Sequence, residues 1–136
     1  LMRVLLSIVL WAHGAQKLLG WFGGYGFENS MKFFTGTVGI PSVLGFLVIV
    51  LEFFGPLFVL AGLLTRVWAS LMTLLFIAIP ISSHLANGFF MNWFGNQPGE
   101  GYEFFLLAIG LSAGLVIEGG GRYSVDRQLT NRNKDR

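Results

Sequence analysis

Between Val43 and Leu64 the chain reads VLGFLVIVLEFFGPLFVLAGLL, an apolar run in which Glu52 is the one ionisable residue. A run of this length is a membrane-crossing helix by default. About 20 helical residues cross the ~30 Å hydrocarbon core of a bilayer, and there a helix satisfies its own backbone polar groups where an open strand cannot. Three further apolar runs accompany it: Met2 to Leu19, Val67 to about Phe90 (with Pro80 inside and Ser82-Ser83-His84 near its end), and Glu103 to Ile117. The fold class that follows is all-α, an integral membrane four-transmembrane-helix bundle. Composition agrees, since 54% of the 136 residues are hydrophobic, 12% are charged and the mean hydropathy is +0.66, whereas a soluble domain carries about 25% charged residues.

The domain plan is one four-helix transmembrane domain over residues 1–121 and a polar cytoplasmic tail over 122–136, expected to be disordered or loosely surface-bound. The N-terminal run passes into a polar motif with no small-residue cleavage site, so it reads as a span rather than a signal peptide. A few residues upstream of Leu1 would lengthen it. The basic residues beside the spans set the orientation. Arg122, Arg127, Arg132, Lys134 and Arg136 place the tail in the cytoplasm, and Arg3 and Arg66 fall on the same side, whereas the opposite loops hold Lys32 and, at a helix edge, Lys17. Both termini are then cytoplasmic, in a multi-pass protein of a bacterial-type inner membrane.

In the first outer loop, Phe27 to Phe34 suits a short interfacial helix, capped by Asn29 or Ser30 and turning Met31 and Phe34 to lipid. Trp21, Phe22, Tyr25, Trp93 and Tyr102 suit an outer aromatic belt and Trp68 an inner one. Gly110 and Gly114 lie four apart in the fourth span, which favours close helix packing inside the bundle over a dimer face. Pro56 removes a backbone donor and crowds the carbonyl of Glu52, so a kink beside that carboxyl is expected. Cysteine is absent, which excludes disulfide, iron–sulfur and thiolate-metal chemistry within this chain. No basic face recurs along the body of the chain, so nucleic acid is not an expected partner.

The polar residues concentrate in the outer half of the spans. His13, Gln16 and Lys17 share one face of the first helix, because residues three and four apart are neighbours. Glu52 lies about nine residues inward on the second, His84 and Asn87 near the outer end of the third, and Tyr102 and Glu103 open the fourth. Plainer readings stand beside each. Lys17 snorkels, His84 is an interfacial hydrogen-bonding residue, Glu103 complements a helix dipole, and Asn87 and Tyr102 are interfacial. Glu52 resists, since a buried carboxyl costs several kcal/mol unless protonated or paired; its structural reading is an ion pair with Lys17 or a hydrogen bond with His13. Taken together, the eight residues read as the wall of a polar pocket. Metal binding by His13, Glu52 and His84 is the weaker chemistry, because no pair has a dedicated ligand spacing. No heme-ligation pattern and no nucleophile–base motif is present. Protonatable groups among Phe, Leu and Trp suit an amphipathic lipophile, and a quinone fits, with histidine and carboxyl groups hydrogen-bonding its carbonyls.

Four strings carry a family resemblance: His13-Gly14-Ala15-Gln16-Lys17-Leu18 with Gly20-Trp21-Phe22-Gly23-Gly24; Glu52 followed by Gly55; His84 leading to Asn87-Gly88-Phe89-Phe90; and Gly99-Glu100-Gly101-Tyr102-Glu103. Together they resemble the DoxX family over almost the whole chain up to about Gly121. The resemblance implies a small four-helix membrane protein. That family takes its name from a subunit associated with a terminal quinol oxidase, and relatives are linked to thiosulfate:quinone oxidoreductase and to membrane redox complexes that handle oxidative or sulfur stress. The expectation is a quinone-linked subunit of a redox complex, with the bilayer and a larger membrane complex as partners. The rival is a non-catalytic accessory subunit that stabilises such a complex. A transporter is disfavoured, because four helices without repeats leave little room for alternating access.

Overall fold

Four apolar stretches become four long helices. The computed structural model describes residues 1–134, in which the long helices are α1 (Met2–Leu18), α3 (Ser42–Ala61), α4 (Thr65–Ser83) and α5 (Glu103–Glu118). A short α2 (Gly26–Lys32) runs into a wide π turn over Phe33–Val38, a 3-10 turn covers Leu85–Asn87, and α6 (Val125–Lys134) closes the described chain. No strand occurs among the described residues. By length and composition α3 and α4 are apolar enough to cross a membrane.

Consecutive long helices run antiparallel. One end of the bundle, the loop end, carries the two long connections; the other, the tail end, carries Arg3, the α3–α4 turn and α6. The core draws on every long helix: Leu6 and Leu10 of α1, Val59 of α3, Ala69, Met72 and Phe76 of α4, and Phe105, Ala108 and Leu115 of α5. The buried residues of α3 are Gly45, Ile49, Glu52, Gly55, Pro56 and Val59; Gly55 apart, their spacing alternates four and three, which keeps one seam facing its neighbours. Glu52 therefore stands in the middle of the seam of a helix whose sequence is apolar all round. Between α4 and α5, the Thr73 hydroxyl donates to Ser112 Oγ at 2.8 Å, and Ser112 donates to the Ala108 carbonyl. Burying these hydroxyls costs little because each is partnered.

Gly14 decides how closely α1 meets α3. A Cβ there would strike the Glu52 carbonyl and the Phe53 amide nitrogen, and that carbonyl is the one that Pro56 leaves without its helical donor. At the tail end Gly62 adopts φ +74° and ends α3, with the Leu63 N–H returning to the Phe58 carbonyl, a Schellman-type close. Leu64 follows at φ +51°, a left-handed conformation that costs an L-residue about 1–2 kcal/mol. Asp126 holds it there. Its carboxylate accepts the Leu64 and Thr65 amides at 2.7 and 2.9 Å, and its own amide donates to the Gly62 carbonyl. Partial burial opposes the Asp126 charge, but those two amides, the Thr65 hydroxyl and the nearby Arg3 outweigh it and hold the carboxyl below the usual aspartate range.

Several expectations are corrected. The tail forms a helix, α6, docked on the α3–α4 turn, where a disordered or loosely surface-bound segment was expected; Asp135 and Arg136 lie outside the described residues. The short loop helix begins at Gly26, so Asn29 and Ser30 lie inside it and cap nothing. Met31 and Phe34 pack on Gly45 of α3 rather than turning to lipid. The third long helix stops at Ser83, because the His84 amide makes the last helical bond, to Pro80, and a 3-10 turn follows. Trp68 stacks on Phe58 at 5.0 Å between α3 and α4 instead of joining a belt. Gly114 packs on Met2, as close packing requires, but Gly110 faces open space.

Candidate functional site

The polar face of α1 meets the seam of α3 near the loop end. Lys17 Nζ lies 2.5 Å from Glu52 Oε2, with the lysine side chain 28% exposed and the glutamate 3%. The contact is an ion pair by distance without hydrogen-bond alignment. At Gly14, one turn below, the two backbones come close, which brings the short side chain of Glu52 within reach of a lysine from the neighbouring helix. Lys17 is the more exposed partner, so its ammonium stands between the buried carboxylate and the loop above.

That loop folds back over α1. Gln16 Nε2 donates to the Phe22 carbonyl at 3.3 Å, and Gly24 lies against the Gln16 backbone so closely that a Cβ would overlap it. The fold-back leaves a cavity of about 260 Å3 lined by Gln16, Lys17, Gly23, Gly24, Tyr25 and Ser30. Ser30 is 3% exposed and its hydroxyl has no hydrogen-bond partner. Buried hydroxyls are nearly always partnered, so this orphan marks the cavity as a place where a polar group is wanted. From sequence Ser30 is a cap candidate and Tyr25 a belt residue, and neither is expected in the pocket; a lone serine in an aromatic loop gives no periodic signal. His13, one turn below Lys17, lies against Phe104 of α5 with ring centroids 6.0 Å apart and within electrostatic reach of both Lys17 and Glu52.

The other four candidates assemble elsewhere at the same end. Glu103 Oε1 accepts the Met91 amide at 2.9 Å and the Trp93 indole N–H at 2.8 Å. Asn87 Nδ2 donates to the Glu100 carbonyl, and Gly101 is pressed against the carbonyls of Gly88, Phe89 and Phe90. Tyr102 packs edge-on against Phe89, and its amide donates to the Gly88 and Phe89 carbonyls. His84 shares a 2.8 Å hydrogen bond between Nδ1 and Ser83 Oγ and abuts Phe105 at 4.8 Å. The strings Asn87-Gly88-Phe89-Phe90 and Gly99-Glu100-Gly101-Tyr102-Glu103 thus face one another as the two halves of a buckle that closes the second loop.

The structure therefore brings His13, Gln16, Lys17 and Glu52 together on α1 and α3, and His84, Asn87, Tyr102 and Glu103 around α4, α5 and their loop. The histidines touch consecutive phenylalanines, Phe104 and Phe105, which diverge by about 100° around a helix. Among the described residues no three His, Cys, Asp or Glu side chains gather as a cation site, and His13, Glu52 and His84 form no such group.

Comparison with known protein families reaches the first of these motifs, as far as His84, and stops short of the strings Asn87-Gly88-Phe89-Phe90 and Gly99-Glu100-Gly101-Tyr102-Glu103. The DoxX family model matches residues 1–85, which covers α1 through α4. A protein of Bacillus subtilis (strain 168) described as "Putative oxidoreductase CatD" is 32% identical over 92 residues, covering 68% of this chain and 63% of that protein. The chain thus spans less than two thirds of the length of that relative. No solved structure matches. With its His13–Leu18 string, its loop glycines, Glu52 and His84 all inside the matched region, this chain is a membrane protein of the DoxX family.

Proposed function

We propose that the chain is a quinone-linked subunit of a membrane redox complex, with its ligand pocket under the first loop. The observation that carries this reading is the buried Lys17–Glu52 pair beside a cavity that holds an unpartnered hydroxyl. The family's membrane character and a relative with an oxidoreductase description support it. In this reading all four long helices cross a bacterial-type inner membrane with both termini in the cytoplasm. Each carries exposed large side chains suited to lipid: Ile8 on α1, Leu47 on α3, Leu74 on α4 and Leu107 on α5. The arginines gather at the tail end, as cytoplasmic loops require.

The cavity suits one ring-sized headgroup, leaving an isoprenoid tail to the hydrocarbon. A bound quinone supplies two-electron, two-proton chemistry. The Lys17 ammonium and the Gln16 amide are donors for a quinone carbonyl, and Ser30 is a third. Glu52 acts through Lys17, fixing the ammonium at the cavity wall. His13 lies within electrostatic reach of the Lys17–Glu52 pair. The outer loop covers one side of the site.

The test is reconstitution of the purified protein with a menaquinone or ubiquinone analogue. Lys17→Met and Glu52→Gln weaken binding, and His84→Ala leaves it intact because His84 packs in the loop buckle. Unchanged binding in both of the first two overturns the assignment, and loss in His84→Ala overturns its boundary. The same ion pair supports a second reading, since a Lys–Glu bridge between α1 and α3 stabilises the bundle with no ligand at all. In that case the chain is an accessory subunit. Mild detergent extraction separates the two: a lone chain carrying a lipophile favours the first, and a stoichiometric complex with an empty pocket favours the second.

A further inference from the structure

A second hollow lies at the opposite end from the Lys17–Glu52 pair. It is a groove of about 580 Å3 between the start of α4, the Gly119–Gly121 turn and one face of α6. We propose that it binds a phosphate group, that of an anionic membrane lipid. The lipid source rests on the membrane topology given above; the phosphate chemistry does not.

Three features converge on that chemistry. The first is α4 itself. A helix leaves its first amides without acceptors. Asp126 takes those of Leu64 and Thr65, and the Trp68 amide bonds back to Leu64. The amides of Arg66 and Val67, which line the groove, are left with no acceptor among the described residues. The second is Thr65, which also lines the groove. It is 0% exposed, and its Oγ1, although near enough to the Asp126 carboxylate to favour its charge, makes no hydrogen bond of acceptable geometry. The third is the register of α6. Arg127, Thr130, Asn131 and Lys134 all line the groove, and the spacing of three, four and seven puts them on one helical face. Thr130 spends its proton on the Asp126 carbonyl, which leaves Arg127, Asn131 and Lys134 as donors.

Charge favours an anion. Arg66, Arg127 and Lys134 face Asp126 and Glu118 across the lining. Both Asp126 oxygens are already occupied by amides, and Arg66 spends one N–H on the Ile117 carbonyl, leaving the rest of its guanidinium for a ligand. Glu118 opposes the anion, which makes it a diagnostic position. The groove also opens at the level where α4 and α5 leave their apolar spans, the depth of the headgroup phosphates.

The experiment uses the full chain in a neutral detergent. The probes are dihexanoylphosphatidylglycerol, dihexanoylphosphatidylcholine and inorganic phosphate, and unfolding temperature and direct titration are the readouts. The phosphatidylglycerol is expected to bind saturably and more tightly than either of the others. Arg127→Gln and Lys134→Gln should each weaken it about fivefold, the worth of one cation at an anionic surface. Thr65→Val, which keeps the packing and removes the hydroxyl, should weaken it, and Glu118→Gln should tighten it. Arg132→Gln, on α6 but outside the groove, should change nothing; an equal loss there means diffuse attraction and overturns the site. Inorganic phosphate binding as tightly as the lipid overturns the lipid source. No saturable binding of any probe overturns the proposal. Glu52→Gln leaves all of these titrations unchanged, so the result is independent of the quinone site.

Discussion

Replacing Lys17 by Met removes the ammonium that faces Glu52 Oε2 at 2.5 Å and leaves the carboxylate, 3% exposed, in the seam of α3. Replacing Glu52 by Gln instead leaves the ammonium facing a neutral amide. The two losses are unequal, because the partners are unequally buried. A carboxylate stranded in a buried seam costs about 3–5 kcal/mol. The lysine is 28% exposed and carries its charge on a flexible four-carbon stem, so it swings toward the headgroups when its partner goes. Glu52→Gln should then cost about 1 kcal/mol, the scale of one lost hydrogen-bonding interaction. The double variant Lys17→Met with Glu52→Leu restores an apolar seam and should recover most of the Lys17→Met loss, since well-packed apolar replacements of a buried pair are often neutral. Reversible unfolding in mixed micelles, followed by circular dichroism, measures all three. Equal losses in the two single variants, or a double variant as unstable as Lys17→Met, would refute the view that Glu52 is the buried partner that Lys17 neutralises.

Gly14→Ala should cost about 1–3 kcal/mol, the usual penalty for overpacking, because its methyl meets the α3 backbone rather than a side chain that can turn away; Gly110→Ala, facing open space, should be neutral or stabilising in the same assay. Glu103→Gln weakens the charge-assisted bonds from Trp93 and Met91 by about 1–3 kcal/mol, visible as changed indole emission and faster proteolysis within the second loop. The depressed Asp126 carboxyl stabilises the docked tail while it is ionised. Its contribution is complete above about pH 4, the ordinary range of an unfolded aspartate, and fades as the pH falls through the lower folded value. Amide exchange in α6 should accelerate there in the native chain, whereas Asp126→Asn should be fast at every pH.

The long helices were legible because each is an apolar run bounded by glycine, proline or charge, and the observed α1 and α5 end within a residue of the runs that announce them. Glu52 was legible as an anomaly for the same reason. Its partner was not, since Lys17 and His13 are both one turn from a plausible contact and sequence does not say where Gly14 lets two backbones approach. The division of the eight polar candidates into two groups was hidden too. Helix depth places residues along the bundle axis, but it does not give the rotation of α4 and α5 about their own axes, and that rotation decides whether His84 and Glu103 face α3 or their own loop. The strings that carry a resemblance invite a functional reading, yet Asn87, Gly99 and Gly101, which lie beyond the residues the family model matches, are explained by the tight crossing of two loop segments, a backbone requirement that any loop of this shape imposes. The helical tail was invisible for a different reason. VDRQLTNRNK has no apolar stripe to propose burial, and α6 is held by polar contacts with another element's end, which no local pattern encodes.

The tail end also shows why the arginines sit where they do. Orientation in a membrane asks only for positive charge on one side, which Lys, or a different position, would supply equally well. Arg3 instead reaches the carbonyls of Val59 and Leu60 at the end of α3 and that of Tyr123 before α6, and Arg66 reaches the Ile117 carbonyl at the end of α5. In an antiparallel bundle the first turn of one helix lies beside the last turn of its neighbour, whose carbonyls lack helical donors and carry partial negative charge. A planar guanidinium with several N–H groups bridges carbonyls on two separate segments, which a single ammonium does less well. Charge that orients the chain during insertion is thus the same charge that staples α1 to α3 and α4 to α5 once the helices are in place. The acid that completes this end, Asp126, sits against the start of α4, where a negative group is favoured. Sign and position agree at all three junctions.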